Sequence, residues 1–170
     1  MTTIGVSVAV PEPWGSQLQQ YRIDLGDEAA RHIPTHVTLL PPHEIDQDDL
    51  DAVRHHLEDV AARMPAFTVH LRSTGTFRPV SSVVFIGVVE GISGCEQLAA
   101  QVQRGPLAIE RAFPYHPHVT VAHDLPEETL DRAFDDLADF DAAFEVTAMW
   151  MYLHDDVSGW QPTQAFALGG

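Results

Sequence analysis

Two segments of this chain, His36-Val37-Thr38-Leu39 and His118-Val119-Thr120-Val121, repeat one alternating tetrapeptide 82 residues apart, each closely behind a proline, Pro34 or Pro117. Polar and apolar residues alternate with period two, which is the pattern of a β-strand buried on one face. His36 and Thr38 therefore point to one side and Val37 and Leu39 to the other, and the same holds for His118 and Thr120 against Val119 and Val121. The apolar sides can pack beneath helices, which leaves a histidine and a threonine together on each opposite face. If the two strands lie near each other, two imidazoles and two hydroxyls meet in one cleft. A single His-x-Thr triplet would carry little weight; two copies with the same middle residue, an apolar successor and the same setting carry much more.

The rest of the chain alternates short strands with amphipathic helices. Strands are expected at Ile4 to Val10, His36 to Leu40 (stopped by Pro41-Pro42), Ala66 to Leu71, Ser82 to Val89, Phe144 to Leu153 and Thr163 to Leu168. Helices are expected at Trp14 to Leu25, Asp46 to Met64, Ser93 to Gln103 and Glu127 to Phe140. The second has acids crowding its first turn, where the helix dipole favours them, and an apolar stripe of Leu50, Val53, Leu57, Val60 and Ala61. Gly105-Pro106 stops the third, and Leu130, Phe134 and Leu137 line the fourth. This order points to an α+β protein with a largely antiparallel sheet and helices on its outer faces. The 170 residues suit one domain, or two intimately packed lobes, over 1-170.

Charge narrows the partners. All nine basic residues are arginine, and 25 acids bring the formal net charge to −16. A protein that grips long nucleic acid needs a basic face, so any nucleic-acid partner is expected to be small or touched only at an end. The acids gather at Glu44 to Asp59 and Asp124 to Glu145, as solvated helix faces would. A single cysteine, Cys95, rules out a disulfide framework or thiolate cluster and fits a reducing cytoplasm. The N-terminus lacks a basic n-region and reads as a first strand, and no apolar run is long enough to span a membrane. The chain is expected to be a monomer.

Paired imidazoles suit acid–base chemistry at a phosphodiester. One takes a proton from water or a ribose hydroxyl while the other protonates the leaving oxygen, and threonine hydroxyls can donate to the non-bridging oxygens as charge develops. Such a site needs neither metal nor cofactor. His36-Val37-Thr38-Leu39 and Pro117-His118-Val119-Thr120-Val121-Ala122 resemble the paired His-x-Thr/Ser-x signatures of the two-histidine (2H) phosphoesterase superfamily. The nearest branch is the bacterial 2′-5′ RNA ligase-like, or cyclic phosphodiesterase-like, proteins, and the likeness extends over essentially the whole chain. It implies a bilobal fold of two pseudo-symmetric α+β lobes around a central cleft, each supplying one motif. It further implies chemistry on 2′,3′-cyclic or 2′-5′-linked phosphodiesters, with His36 and His118 as the acid–base pair and Thr38 and Thr120 as phosphate-binding hydroxyls.

Other residues are weaker candidates. Many relatives carry Arg or Lys where this chain has His123, which strand parity turns away from the cleft with Val119 and Val121. His116 shares the parity of His118 and is placed at the rim of the site; the pair could alternatively ligate a metal, although no third ligand is evident. Tyr115 and Phe113 precede the second motif and could stack on a base, with core packing or loop anchoring as the competing role. Phe85 is a substrate contact or a core residue. Arg78, in the Gly75-Thr76-Phe77-Arg78-Pro79 loop, is the candidate cation for phosphate. His55 and His56 are adjacent on a helix and cannot face one point. The rival functions are a non-catalytic nucleotide-binding module using the same cleft and, less favoured, a metal-dependent hydrolase centred on His116 and His118.

Overall fold

The computed structural model describes residues 1–169. Two four-stranded antiparallel sheets make up the strand architecture. The first contains β1 (Thr2–Ala9), β2 (His36–Ile45), β7 (Ala148–Asp155) and β8 (Gly159–Ala167), in the order β2-β1-β7-β8. The second contains β3 (Phe67–Thr76), β4 (Val83–Glu90), β5 (His118–His123) and β6 (Asp141–Val146), in the order β5-β4-β3-β6. Four α-helices, α1 (Trp14–Asp24), α2 (Leu50–Arg63), α3 (Ile92–Val102) and α4 (Glu127–Asp136), complete the bilobal α+β fold.

The orders describe one plan used twice. The run β1-α1-β2-α2 is matched by the run β4-α3-β5-α4, so each motif strand lies at a sheet edge beside the strand that opens its unit. The sheet is then extended on the far side of β1 by β7 and on the far side of β4 by β3. The strands pass from one sheet to the other twice, between β2 and β3 and between β6 and β7, while α1 packs against β5 and α3 against β2, so the first helix of each unit reaches across to the other sheet.

Burial explains the placement of the helices. Val53, Leu57, Val60 and Ala61 of α2, Cys95, Leu98, Ala99 and Val102 of α3, and Leu130 and Ala133 of α4 are all buried. They join Val37, Leu39, Val119 and Val121, each fully buried, in one hydrophobic cluster that draws on both sheets. The apolar sides of the two motifs thus point inward as strand parity requires. At roughly 25 cal/mol per Å² of apolar surface removed from water, this cluster is the main source of stability. No helix is long and apolar enough to cross a membrane among the described residues.

Several element boundaries differ from the sequence expectation: β3 runs on to Thr76, β8 begins at Gly159 and α2 at Leu50, and three further differences have a clear local cause. β2 does not stop at Pro41-Pro42 but continues to Ile45. It is an edge strand, and its register against β1 slips between Ile4 and Val6, so a bulge accommodates prolines that have no N–H to donate. The expected strand from Phe144 to Leu153 is two strands, β6 and β7, divided at Thr147 and belonging to different sheets. The fourth helix ends at Asp136, short of Phe140, and the following turn closes with the Phe140 N–H donating to the Leu137 carbonyl.

Candidate active site

Each motif strand carries a bulge just after its threonine. On β2 the register steps from Thr38 opposite Ser7 to Leu40 opposite Val6, which leaves Leu39 as the extra residue. On β5 it steps from Thr120 opposite Phe85 to Ala122 opposite Val84, with Val121 extra. Both residues of each bulged pair, Leu39 with Leu40 and Val121 with Ala122, are buried, so alternation fails beyond the motif. The bulge frees a backbone carbonyl in the first lobe, and the Gln103 side chain, just past α3, donates to Leu39 O at 2.7 Å. It also overturns the parity argument for His123. Its ring is exposed and sits 3.3 Å from Asp124, and its position follows from the bulge and not from counting back to Val119.

The two strands adjoin across the cleft. The tie between them is Tyr115, whose hydroxyl donates to Thr38 O at 2.7 Å, linking the lead-in of the second motif to the backbone of the first. This phenol is engaged in a structural bond, so Tyr115 acts as a strut. Burial pushes its pKa up from the ordinary tyrosine value. Tyr115→Phe is expected to cost about 1 kcal/mol, a fall of roughly 2–4 °C in melting temperature for a chain of this size. Thermal denaturation checks this, and an unchanged melting temperature would deny the strut.

The two imidazoles are held identically. His36 Nδ1–H donates to Pro34 O at 2.6 Å, and His118 Nδ1–H donates to His116 O at 2.7 Å. A carbonyl can only accept, so each bond fixes the proton on Nδ1 and leaves Nε2 free with its lone pair. Both pKa values lie below the ordinary histidine value. Desolvation is the main cause for His36, opposed by the Pro34 bond and aided by the Arg22 guanidinium, which itself pairs with Asp27 at 2.8 Å. For His118 desolvation again leads, opposed by the bond to His116 O and aided by the charges of His116 and His36. The two motif histidines are therefore close enough for the charge of one to act on the other.

The threonines differ from their neighbours in what their hydroxyls do. Thr35, Thr74 and Thr76 each donate to a backbone carbonyl, at 2.6, 2.8 and 2.8 Å. Thr38 and Thr120 are half-buried, and their hydroxyls have no protein partner among the described residues. Thr38 lines a cavity of about 80 Å³ together with His36.

Around His118 the lobe is packed solid with rings. Phe77 lies edge-on to His118 at 4.9 Å between centroids and Phe85 at 5.4 Å, while the two phenyl rings are 4.5 Å apart. His116 is exposed at the rim, 5.3 Å from Phe77 and 5.2 Å from Phe85. Phe85 is buried and packs against the His118 ring; its own ring fits only because Gly75 opposite has no Cβ, which would lie 2.6 Å from Cζ. Phe77 is a site residue that the sequence reasoning missed, since nothing in its loop context distinguishes it from a core residue.

Arg78 is placed elsewhere. Its guanidinium bonds to Glu127 and Asp131 of α4, each at 2.8 Å, and to the Thr76 hydroxyl at 3.0 Å. The two carboxylates already neutralise it, so the side chain belongs to the α4 flank and is not brought to the histidines. Phe113 is exposed on its loop. His116 and His118 have ring centroids 5.9 Å apart, and among the described residues no group of three or more His, Cys, Asp or Glu side chains converges as a metal site would require. His56 bonds to Val102 O at 2.9 Å, which ties α2 to α3.

Comparison with known proteins agrees with this architecture. A candidate phosphoesterase of Geobacillus kaustophilus is 28% identical over 140 residues, covering 81% of this chain and 80% of that protein. A similarly named protein of Bacillus licheniformis is 27% identical over 139 residues, covering 81% and 82%. Among solved structures, Escherichia coli LigT complexed with 3′-AMP superposes with a TM-score of 0.69 at 22% identity, covering 99% of each chain. A Thermus thermophilus protein gives 0.71 at 21% identity, covering 100% of this chain and 99% of that one. Residues 10–158 match the family model of the 2′-5′ RNA ligase superfamily, and the chain belongs to that family.

Proposed function

We propose that this protein is a phosphoesterase that opens 2′,3′-cyclic or 2′-5′-linked phosphodiesters of nucleotides or short RNA ends by two-histidine acid–base catalysis. The observation that carries this reading is the duplicated lock on the imidazoles: each Nδ1–H is tied to the carbonyl two residues back, and each Nε2 is left free. Its support from relatives is the family itself and the 3′-AMP found with LigT.

In hydrolysis of a cyclic phosphate, a neutral Nε2 takes the proton of water as the water oxygen bonds to phosphorus. The second Nε2, protonated, gives its proton to the sugar oxygen as the P–O bond breaks and the electron pair leaves with that oxygen. One water is consumed, the pair of histidines ends with one proton as it began, and no metal takes part. The Thr38 and Thr120 hydroxyls donate to the non-bridging oxygens, where charge builds. With a formal charge of −16 the surface repels long polyanions, so selectivity falls on small substrates.

The direct test is turnover of 2′,3′-cyclic mononucleotides and 2′-5′-linked dinucleotides by purified protein in excess chelator. Turnover is expected; none on either panel would remove the assignment. The lowered pKa values add a signature. The reactive state holds one proton on the pair, and both free-enzyme pKa values lie below 6.5, so kcat/KM is expected to peak on the acid side of pH 6.5 and fall towards pH 8. Bound phosphate favours the imidazolium, so kcat should peak at higher pH than kcat/KM. A kcat/KM that climbs from pH 6 to 8 would contradict this. The same shifts bear on stability: the unfolded chain binds these protons at higher pH than the native one, so stability is expected to fall as pH drops below 6.5.

A further inference from the structure

The two lobes share a plan but not a filling. Opposite Thr120, β4 presents Phe85; at the equivalent place opposite Thr38, β1 presents Ser7. Phe85 closes its lobe over Gly75. Ser7 leaves open the cavity of about 80 Å³ beside His36, far more than the roughly 10–15 Å³ that one water needs. Building on the phosphoesterase reading, we propose that this cavity is the seat of the substrate's nucleobase, with Trp160 and Tyr152 as its stacking walls and the Ser7 hydroxyl as a polar contact.

Its walls are flat and apolar: the Trp160 indole, the Tyr152 ring, Ile33 and Pro34. Trp160 is braced from three directions. A methyl group at Gly5 would touch Trp160 Cζ3 at 3.4 Å, so the indole rests directly on the sheet. His154 contacts the indole at 4.9 Å and 60°. The hairpin that carries Trp160 turns at Gly159, whose φ of 73° suits glycine, and His32 packs so closely there that no Cβ would fit. This contact joins the hairpin to the segment leading into His36.

Ser7 and Tyr152 are each 6% exposed, and neither hydroxyl has a protein partner among the described residues. Neither hydroxyl is sealed from solvent, so both face the open cavity as donors and acceptors free to bond the edge of a ligand. No carboxylate, arginine or lysine lines the cavity. The bound group is therefore neutral, planar and polar at its edge, and it adjoins a phosphate position at His36 and Thr38. A nucleobase meets all of these requirements. Seating the base here puts the nucleoside on the His36 side of the phosphate and leaves the His118 side to water.

The test is calorimetric titration of wild-type protein, Trp160→Ala and Ser7→Phe with adenosine 3′-phosphate and, separately, inorganic phosphate. Ser7→Phe installs in the first lobe the ring that fills the second, and Trp160→Ala removes a wall should Ser7→Phe fail to fold. Each variant is expected to weaken nucleotide binding at least tenfold while phosphate affinity changes less than twofold. Wild type that holds the nucleotide no tighter than phosphate, or variants that bind it like wild type, would overturn the seat. If nucleotide binding follows the expected pattern but no cyclic phosphate is turned over, the seat stands and the catalytic reading falls. Turnover by wild type with an unchanged KM in Trp160→Ala does the reverse.

Discussion

Replacing His118 by alanine is expected to lower kcat on a 2′,3′-cyclic nucleotide by about 10²–10⁴-fold, the usual worth of a positioned general acid or base. His36→Ala should do the same. The proposed reaction needs a proton accepted and a proton donated at once, and Nε2 of each ring is the atom left free for it. Because the pair acts as a unit, the double variant is expected to lose little more than either single one. The fold should survive: the apolar sides of both strands, Val37, Leu39, Val119 and Val121, are untouched, and both imidazoles are only half-buried. Single-turnover rates alongside far-UV circular dichroism check both halves. Retention of activity within tenfold in a folded His36→Ala or His118→Ala variant would end the two-histidine mechanism. Nucleotide binding that persists unchanged in both variants, with no turnover by the wild type, would instead favour a binding module.

The second large effect is expected at the threonines. Thr38→Val and Thr120→Val keep the shape and the strand propensity and remove only a hydroxyl that has no protein partner. Removing one donor aimed at developing oxyanion charge costs about 10²–10³ in kcat. The bond strengthens in the transition state, so kcat should fall with little change in KM, and Thr→Ser at the same positions should restore most of the rate. A rise in KM at constant kcat would show that the hydroxyls bind the ground state alone. Full activity in both valine variants would remove them from the site.

The duplicated motif was legible because strand parity is a local property. Within His36 to Thr38 and His118 to Thr120 the period of two holds, and the faces follow from it. Parity failed for His123 because the bulge at Val121 inserts a residue, and a bulge is set by the partner strand. Arg78 read as a candidate cation because no carboxylate lies near it in its loop; its neutralising partners, Glu127 and Asp131, lie 49 and 53 residues away. Phe77 and Trp160 carry no local mark at all. They adjoin the motif histidines only because β3 meets β4 at Gly75 and because the β7–β8 hairpin packs on His32.

Residue order alone was enough for the two His-Val-Thr strands, their buried and open faces, the acidic composition and the helices that cover the core. These follow from residue type and short-range periodicity, which the backbone imposes wherever the chain goes. How the two copies differ is a matter of long-range pairing. The histidines receive the same carbonyl lock, but the residue across from each threonine comes from another strand, Ser7 in one lobe and Phe85 in the other. Long-range pairing therefore opened one lobe and filled its counterpart, because cross-strand register is set by the whole sheet and not by the motif.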